Sequence, residues 1–143
     1  MEAWPETQGE AIHKSTFLGH PLSCATALSF LDVLRSEGLV LRSAKKGQYL
    51  LASLRASLGS SCHISEVRGR GLLVGIELCT KTGDPWKGQG GRVARQALKE
   101  GLIVLPAGRY GEVVELAPAA TITEKQIDFA VRCLSEILLG DRL

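Results

Sequence analysis

Apolar residues recur at helical spacing through LSCATALSFLDVLRS, residues 22–36. Pro21 stands where a helix takes its first turn, so a helix is expected there, stopped by Glu37-Gly38. A second helix is expected from about Leu39 to Leu58. Its inward stripe reads Val40, Ala44, Gly47, Leu51, Leu54 and Leu58, with Arg42, Lys45, Lys46 and Arg55 largely off it. After Gly59-Ser60-Ser61 the period changes. In ISEVRGRGLLVGIELC the alternation puts Leu72, Val74, Ile76 and Leu78 on one face of a strand. The turn formers of KTGDPWKGQGG predict a loop, and Arg92 to Glu100 a short helix closed by Gly101. LIVL, 102–105, reads as a buried strand broken by Pro106-Ala107-Gly108, and VVELA, 113–117, as another strand. Thr123 and Gln126 fit a capping box that opens a last helix, with Ile127, Ala130, Val131, Leu134, Ile137 and Leu138 inward. The order predicts an α/β sandwich, helices packed over a small mixed sheet.

Length and composition fit one domain with a core: 143 residues, 45% of them hydrophobic. A net charge of +2 is too balanced for a dedicated nucleic-acid surface. No apolar stretch approaches the ~20 residues of a membrane span, and the N-terminus lacks the pattern of a secretory signal. Cys24, Cys62, Cys79 and Cys133 form no CxxC pair and read as reduced thiols, so a cytoplasmic location is expected. The first residues, around Trp4, Pro5 and Gly9-Glu10, form no capped element, as though an earlier domain preceded them.

Several stretches invite a chemical reading. Arg68-Gly69-Arg70-Gly71 is basic but has no interleaved aromatics, so local pairing with acids outweighs RNA or phosphate binding. Trp86 to Arg92 lacks the GxxxxGK[ST] order of a phosphate loop and reads as a flexible loop. His20 and Cys24 are four apart, yet no second tight pair completes a tetrahedral metal site, and no metal is expected. Cys62 and His63 are neighbours whose side chains point apart in an extended strand. HKSTFLGHPLSC, His13 to Cys24, is different. Pro21 fixes a helix start whose first N–H groups lack partners, and Thr16 can present a hydroxyl beside it. A phosphate oxygen suits that geometry; simple capping and turn formation is the alternative.

Four segments in order, GEAIHKSTFLGHPLSCATAL, EVRGRGLLVGIEL, GLIVLPAG and VVELAPAATITEKQID, resemble the C-terminal part of class III pyridoxal-phosphate-dependent aminotransferases. The ornithine, acetylornithine and 4-aminobutyrate enzymes belong to that group. The resemblance covers essentially the whole chain. It implies the small C-terminal domain of a fold-type I transferase over residues 21–143, with 1–20 the remnant of the large cofactor-binding domain. It implies that Thr16, with Ser15 as a weaker contact, binds the phosphate of pyridoxal 5'-phosphate across a homodimer interface. Gly19 and the helix start at Pro21 help to shape that site. The implied activity moves an amino group between an amine or amino acid and an oxo acid.

Two departures stand out. In the family the Schiff-base lysine and the aspartate at the pyridine nitrogen lie upstream of the segment present here. None of Lys14, Lys45, Lys46, Lys81, Lys87, Lys99 and Lys125 has the lysine's context. No catalytic residue is therefore expected, and this chain alone should not transaminate. Where VVELAP stands, many members carry an arginine that clamps a substrate carboxylate; Glu115 reverses that charge. Glu115 is then a substrate-side residue, or is paired locally with Arg70 or Arg109. A non-catalytic interaction module and one half of a split enzyme are the alternative functions.

Overall fold

Helix α1 runs from Pro21 to Ser36 in the computed structural model, which describes residues 16–59 and 61–140. Two compact units divide the chain, Met1–Glu37 and Gly38–Leu143. The division falls at the far end of α1 from residue 21, where the sequence motifs place the change of domain. Pro21 occupies the first turn, where its missing N–H costs no helix bond. No residue of α1 is buried, and Leu22, Leu28 and Phe30 are among those exposed.

The second unit opens at Gly38, held at φ 59 in the left-handed region, and continues into α2, Leu39–Leu58. The buried stripe of α2 is Leu39, Gly47, Leu50, Leu54 and Leu58. Val40 and Ala44, expected inward, are exposed. The stripe is rotated because Gly47 lies against Gly71, where an added Cβ would run into the Gly71 backbone. Gly71 itself sits at φ 57 in the turn between β1 (Ile64–Arg70) and β2 (Leu73–Leu78). Two glycines thus let a helix meet a tight turn, which larger residues would hold apart.

Strands β1 and β2 form an antiparallel hairpin, β2 pairs with β4 (Val113–Leu116), and β4 pairs with β3 (Leu105–Ala107). The sheet order is β1-β2-β4-β3, and every pairing is antiparallel. The expected α/β class holds, but the sheet is not mixed. Helix α3 (Gln89–Lys99) links β2 to β3, which run in the same direction, and β4 inserts between them. A split βαβ unit of this kind leaves no parallel neighbours.

The predicted face of β2 is borne out: Leu72, Val74, Ile76 and Leu78 are all buried. The third strand is not as read. Pairing covers Leu105–Ala107, with Pro106 inside the strand. Only Val104 of the LIVL segment is buried, while Ile103 and Leu105 are 78% and 56% exposed. An edge strand tolerates proline and shows one face to solvent. Helix α3 begins at Gln89, three residues before the expected start. Gly90 lies in its first turn, close enough to β4 that an added Cβ would come 2.5 Å from the Val113 carbonyl. Helix α4 (Glu124–Leu139) has the expected capping box and the expected inward residues, joined by Cys133. Residues of α2, α3 and α4 share one core with one sheet face, around Leu54, Val93 and Ile127 against Ile76 and Val114. The opposite face carries Arg68, Arg70, Leu73, Gly75 and Glu115.

Candidate functional site

At the head of α1, Thr16 to Gly19 form a turn that His20 closes by donating its N–H to the Phe17 carbonyl at 3.1 Å. Gly19 takes φ 72, which turns the chain sharply into Pro21. Among the described residues no side chain caps α1, and no acidic residue stands in its first turn. The helix start therefore keeps open N–H groups and the positive end of its dipole. Thr16 is exposed beside it in sequence, and its hydroxyl makes no hydrogen bond among the described residues. Ser15 lies outside the described residues. The His20 imidazole packs edge-on against Phe17, with Nδ1 3.5 Å from Ser23 Oγ. Among the described residues no three His, Cys, Asp or Glu side chains converge as metal ligands.

The glycine-rich start of α3 offers no comparable opening. Gly90 donates to the Gly111 carbonyl at 2.9 Å, and Gly88 to the Tyr110 carbonyl at 2.8 Å. The loop between β3 and β4 thus takes up donors that an anion would need.

The second candidate lies on the open sheet face, in the Gly38–Leu143 unit. Glu115 sits in a row with Gly75 and Leu105 and is half-buried. Arg68, in the same row on β1, pairs with Glu66 at 2.9 Å and with Glu77. The Glu77 carboxylate is the main cause of the upward shift of the Arg68 guanidinium pKa. The expected pairing of the basic cluster with local acids is thus met at Arg68. It is not met at Arg70, which makes no ion pair or hydrogen bond among the described residues. Glu115 likewise has no ionic partner there. Arg109 is 5.6 Å from the Tyr110 ring instead. The local pairing of Glu115 that the sequence left open is therefore absent. Arg70 and Glu115 line one groove of about 390 Å³, floored by Gly69, Val74 and Gly75. A larger groove, about 720 Å³, runs between Ile103, Leu105, Ile122, Ile127 and Phe129, and among the described residues Glu115 is its only ionisable lining residue.

His63 rests on Trp86, ring centroids 4.7 Å apart, and its Nδ1 lies 3.3 Å from the Cys79 carbonyl. Cys62 and His63 lie in a turn that precedes β1, not in the extended strand expected, and Cys62 is exposed. Among the described residues no helix is long and apolar enough to cross a membrane.

Residues 1–138 match the family model for aminotransferase class-III. The mitochondrial acetylornithine aminotransferase of Alnus glutinosa is 38% identical over 126 residues, 88% of this chain and 26% of that protein. The crystal structure of a Bacillus anthracis aminotransferase superposes with a TM-score of 0.82 at 33% identity, covering 94% of this chain and 32% of that one. An amine transaminase from an uncultivated Pseudomonas species, solved with pyridoxal phosphate bound, gives a TM-score of 0.80 at 33% identity. It is covered over 90% of this chain and 29% of its own length. The chain thus spans between 26% and 32% of the length of these relatives. With the four ordered motifs, the antiparallel split βαβ sheet and the match over residues 1–138 agreeing, the chain belongs to the class III aminotransferase family.

Proposed function

We propose that this chain supplies the carboxy-terminal share of a pyridoxal-phosphate-dependent aminotransferase, which exchanges an amino group between an amine or amino acid and an oxo acid. The family match over residues 1–138 carries the reading. In it, residues 1 to about 20 belong to a large cofactor-binding domain and the remainder to the small domain. The working form is a cytoplasmic homodimer in which Thr16 serves the neighbouring subunit's site, as the resemblance implies.

The residues at the head of α1 suit a phosphate. An exposed hydroxyl and an uncapped helix start supply donors and partial positive charge, with no carboxylate in the first turn to repel an anion. Thr16 would donate to a phosphate oxygen, and Gly19 gives the chain the bend that opens this end of the helix. Pyridoxal phosphate, when bound, supplies the electron sink that makes a substrate's α-hydrogen acidic. Glu115 acts on the substrate side: its carboxylate repels a carboxylate and attracts an ammonium group.

A lysine anchor is not part of this chain's contribution. Lys46 Nζ donates to the Ile122 carbonyl, and Lys87 Nζ lies 5.0 Å from the centre of the Tyr110 ring. The remaining lysines are set aside in this reading by their sequence context alone. The exposed apolar side chains of α1 favour a second reading, in which the chain is one half of a split enzyme.

Titration with pyridoxal phosphate, then borohydride reduction and mass mapping, tests the proposal. The expected result is weak binding that inorganic phosphate displaces and Thr16→Val reduces, with no single lysine trapped. Binding indifferent to both phosphate and Thr16→Val would remove the head of α1 as the phosphate site. One lysine reduced in high yield would show that the chain carries its own anchor.

A further inference from the structure

Two of the four thiols meet at the end of the β1–β2 hairpin away from the Gly71 turn. Cys62 is exposed in the turn that leads into β1, and Cys79 is the first residue after β2. The Cys79 N–H donates to the His63 carbonyl at 2.9 Å, which carries the antiparallel pairing one residue beyond Ile64 and Leu78. Cys79 is 6% exposed, and its thiol donates to the Cys62 carbonyl at 3.5 Å. The buried sulfur thus already touches the main chain of the other cysteine. Facing residues of antiparallel strands lie about 4.5–5.5 Å apart at Cα, and a disulfide spans about 4.4–6.8 Å. His63 holds the turn in place from its other side, with Nδ1 3.3 Å from the Cys79 carbonyl and its ring on Trp86. Cys133 is different: it is packed into the core from α4, where burial pushes its thiol pKa up.

We propose that Cys62 and Cys79 form a reversible redox site, in which Cys62 reacts with a low-molecular-weight disulfide such as oxidised glutathione and Cys79 resolves the product into an intramolecular disulfide. In the first step the Cys62 thiolate attacks one sulfur of the reagent, the reagent's S–S bond breaks, and one thiolate leaves. In the second, the Cys79 thiolate attacks the Cys62 sulfur of the mixed disulfide and expels the other thiolate. The two protein thiols give up two electrons and two protons, and the reagent is reduced to two thiols. Exposure suits Cys62 to the first step. Burial keeps Cys79 from the reagent, and its contact with Cys62 suits it to the second. The new bond closes a loop around the whole hairpin, so the hairpin's stability follows the thiol poise of its surroundings. The site goes beyond the amino-transfer reading, because neither the head of α1 nor the open sheet face takes part.

The test uses the 143-residue chain carrying Cys24→Ser, which removes the exposed thiol of the Met1–Glu37 unit. The protein is incubated with oxidised glutathione, alkylated, digested with trypsin and mapped by mass. The expected product joins peptides 56–68 and 71–81 through Cys62 and Cys79 with the loss of two hydrogens, and dithiothreitol reverses it. Oxidation should raise Tm by about 5 °C or more, since the bridge restricts the unfolded chain. Cys79→Ser should leave glutathione on Cys62 and abolish the Tm rise. Cys62→Ser, at an exposed position, should abolish both bridge and adduct and leave Cys79 unmodified. Four outcomes would overturn the site: no reaction at Cys62, a glutathione adduct on Cys62 that Cys79 never displaces, a bridge to Cys133 or to a second copy instead, or a bridge that leaves Tm unchanged. Since no cofactor is present, none of these outcomes touches the phosphate titration.

Discussion

Helix α1 and the Gly38–Leu143 unit are both rich in apolar residues at helical spacing, yet only the second converts them into a core. Helix α2 buries Leu50, Leu54 and Leu58, and helix α4 buries Ile127, Leu134 and Ile137 against the same sheet face. Helix α1 has Leu22, Leu28, Phe30 and Leu31, all exposed. Their ends differ too. Helix α4 starts at a reciprocal Thr123–Gln126 box, whereas α1 starts at Pro21 with no side-chain cap. The spacing of apolar residues therefore reports that a helix forms, but not what it packs against. Burial stabilises α2 and α4. Among the described residues, α1 has Pro21 in its first turn and buries no side chain.

The sharpest way to break this contrast is to cut a leucine from each region. Leu54→Ala leaves a cavity in the core and should cost about 2–5 kcal/mol in urea unfolding. Leu28→Ala should change the same transition by less than ~0.5 kcal/mol, as an exposed site does. Equal losses would mean that α1 belongs to the same cooperative unit. A smaller effect comes from the caps. Thr123→Ala should lower the melting stability by about 1 kcal/mol, and His20→Ala by a few tenths at most, because His20 supplies no cap bond. Smallest is a pH effect confined to the α2–α4 contact. The Tyr49 hydroxyl donates to Asp128 at 2.6 Å, and this bond raises the phenol pKa. A raised folded-state pKa means the contribution is complete below the ordinary tyrosine range, ~10, and fades as pH climbs through the raised value. Wild type and Tyr49→Phe should therefore differ at neutral pH and converge in strongly alkaline urea titrations. A constant difference would sever the bond from the stability.

These outcomes bear on what the sequence discloses. The β2 alternation and the α4 cap were legible because each is a local pattern with a local cause. The α2 stripe was harder to read, since the approach of Gly47 to Gly71, distant in sequence, sets the helix's rotation. The edge strand was misread for a related reason: Ile103 and Leu105 are apolar, but both stay largely exposed at the sheet border. The antiparallel sheet follows from β4 inserting between β2 and β3, a choice of neighbours that no single segment encodes. At the candidate sites, Thr16 and Glu115 were found through motif order. Arg70 was visible as a member of a basic cluster and as a possible partner of Glu115. Its independence appeared once the register showed Arg68 engaged elsewhere.

The two borders of the sheet bear on how this chain behaves at high concentration. One border is β3, three residues long, with a proline that removes a backbone donor. The other is β1, whose pairing with β2 is irregular between Ile64 and Glu66 and whose open face carries Glu66, Arg68 and Arg70. Neither offers the long, flat, uncharged template on which a neighbouring molecule could add strand upon strand. Crowding should therefore lead to reversible clustering of sticky helix surfaces that dilution dissolves, and not to fibrils that seed their own growth.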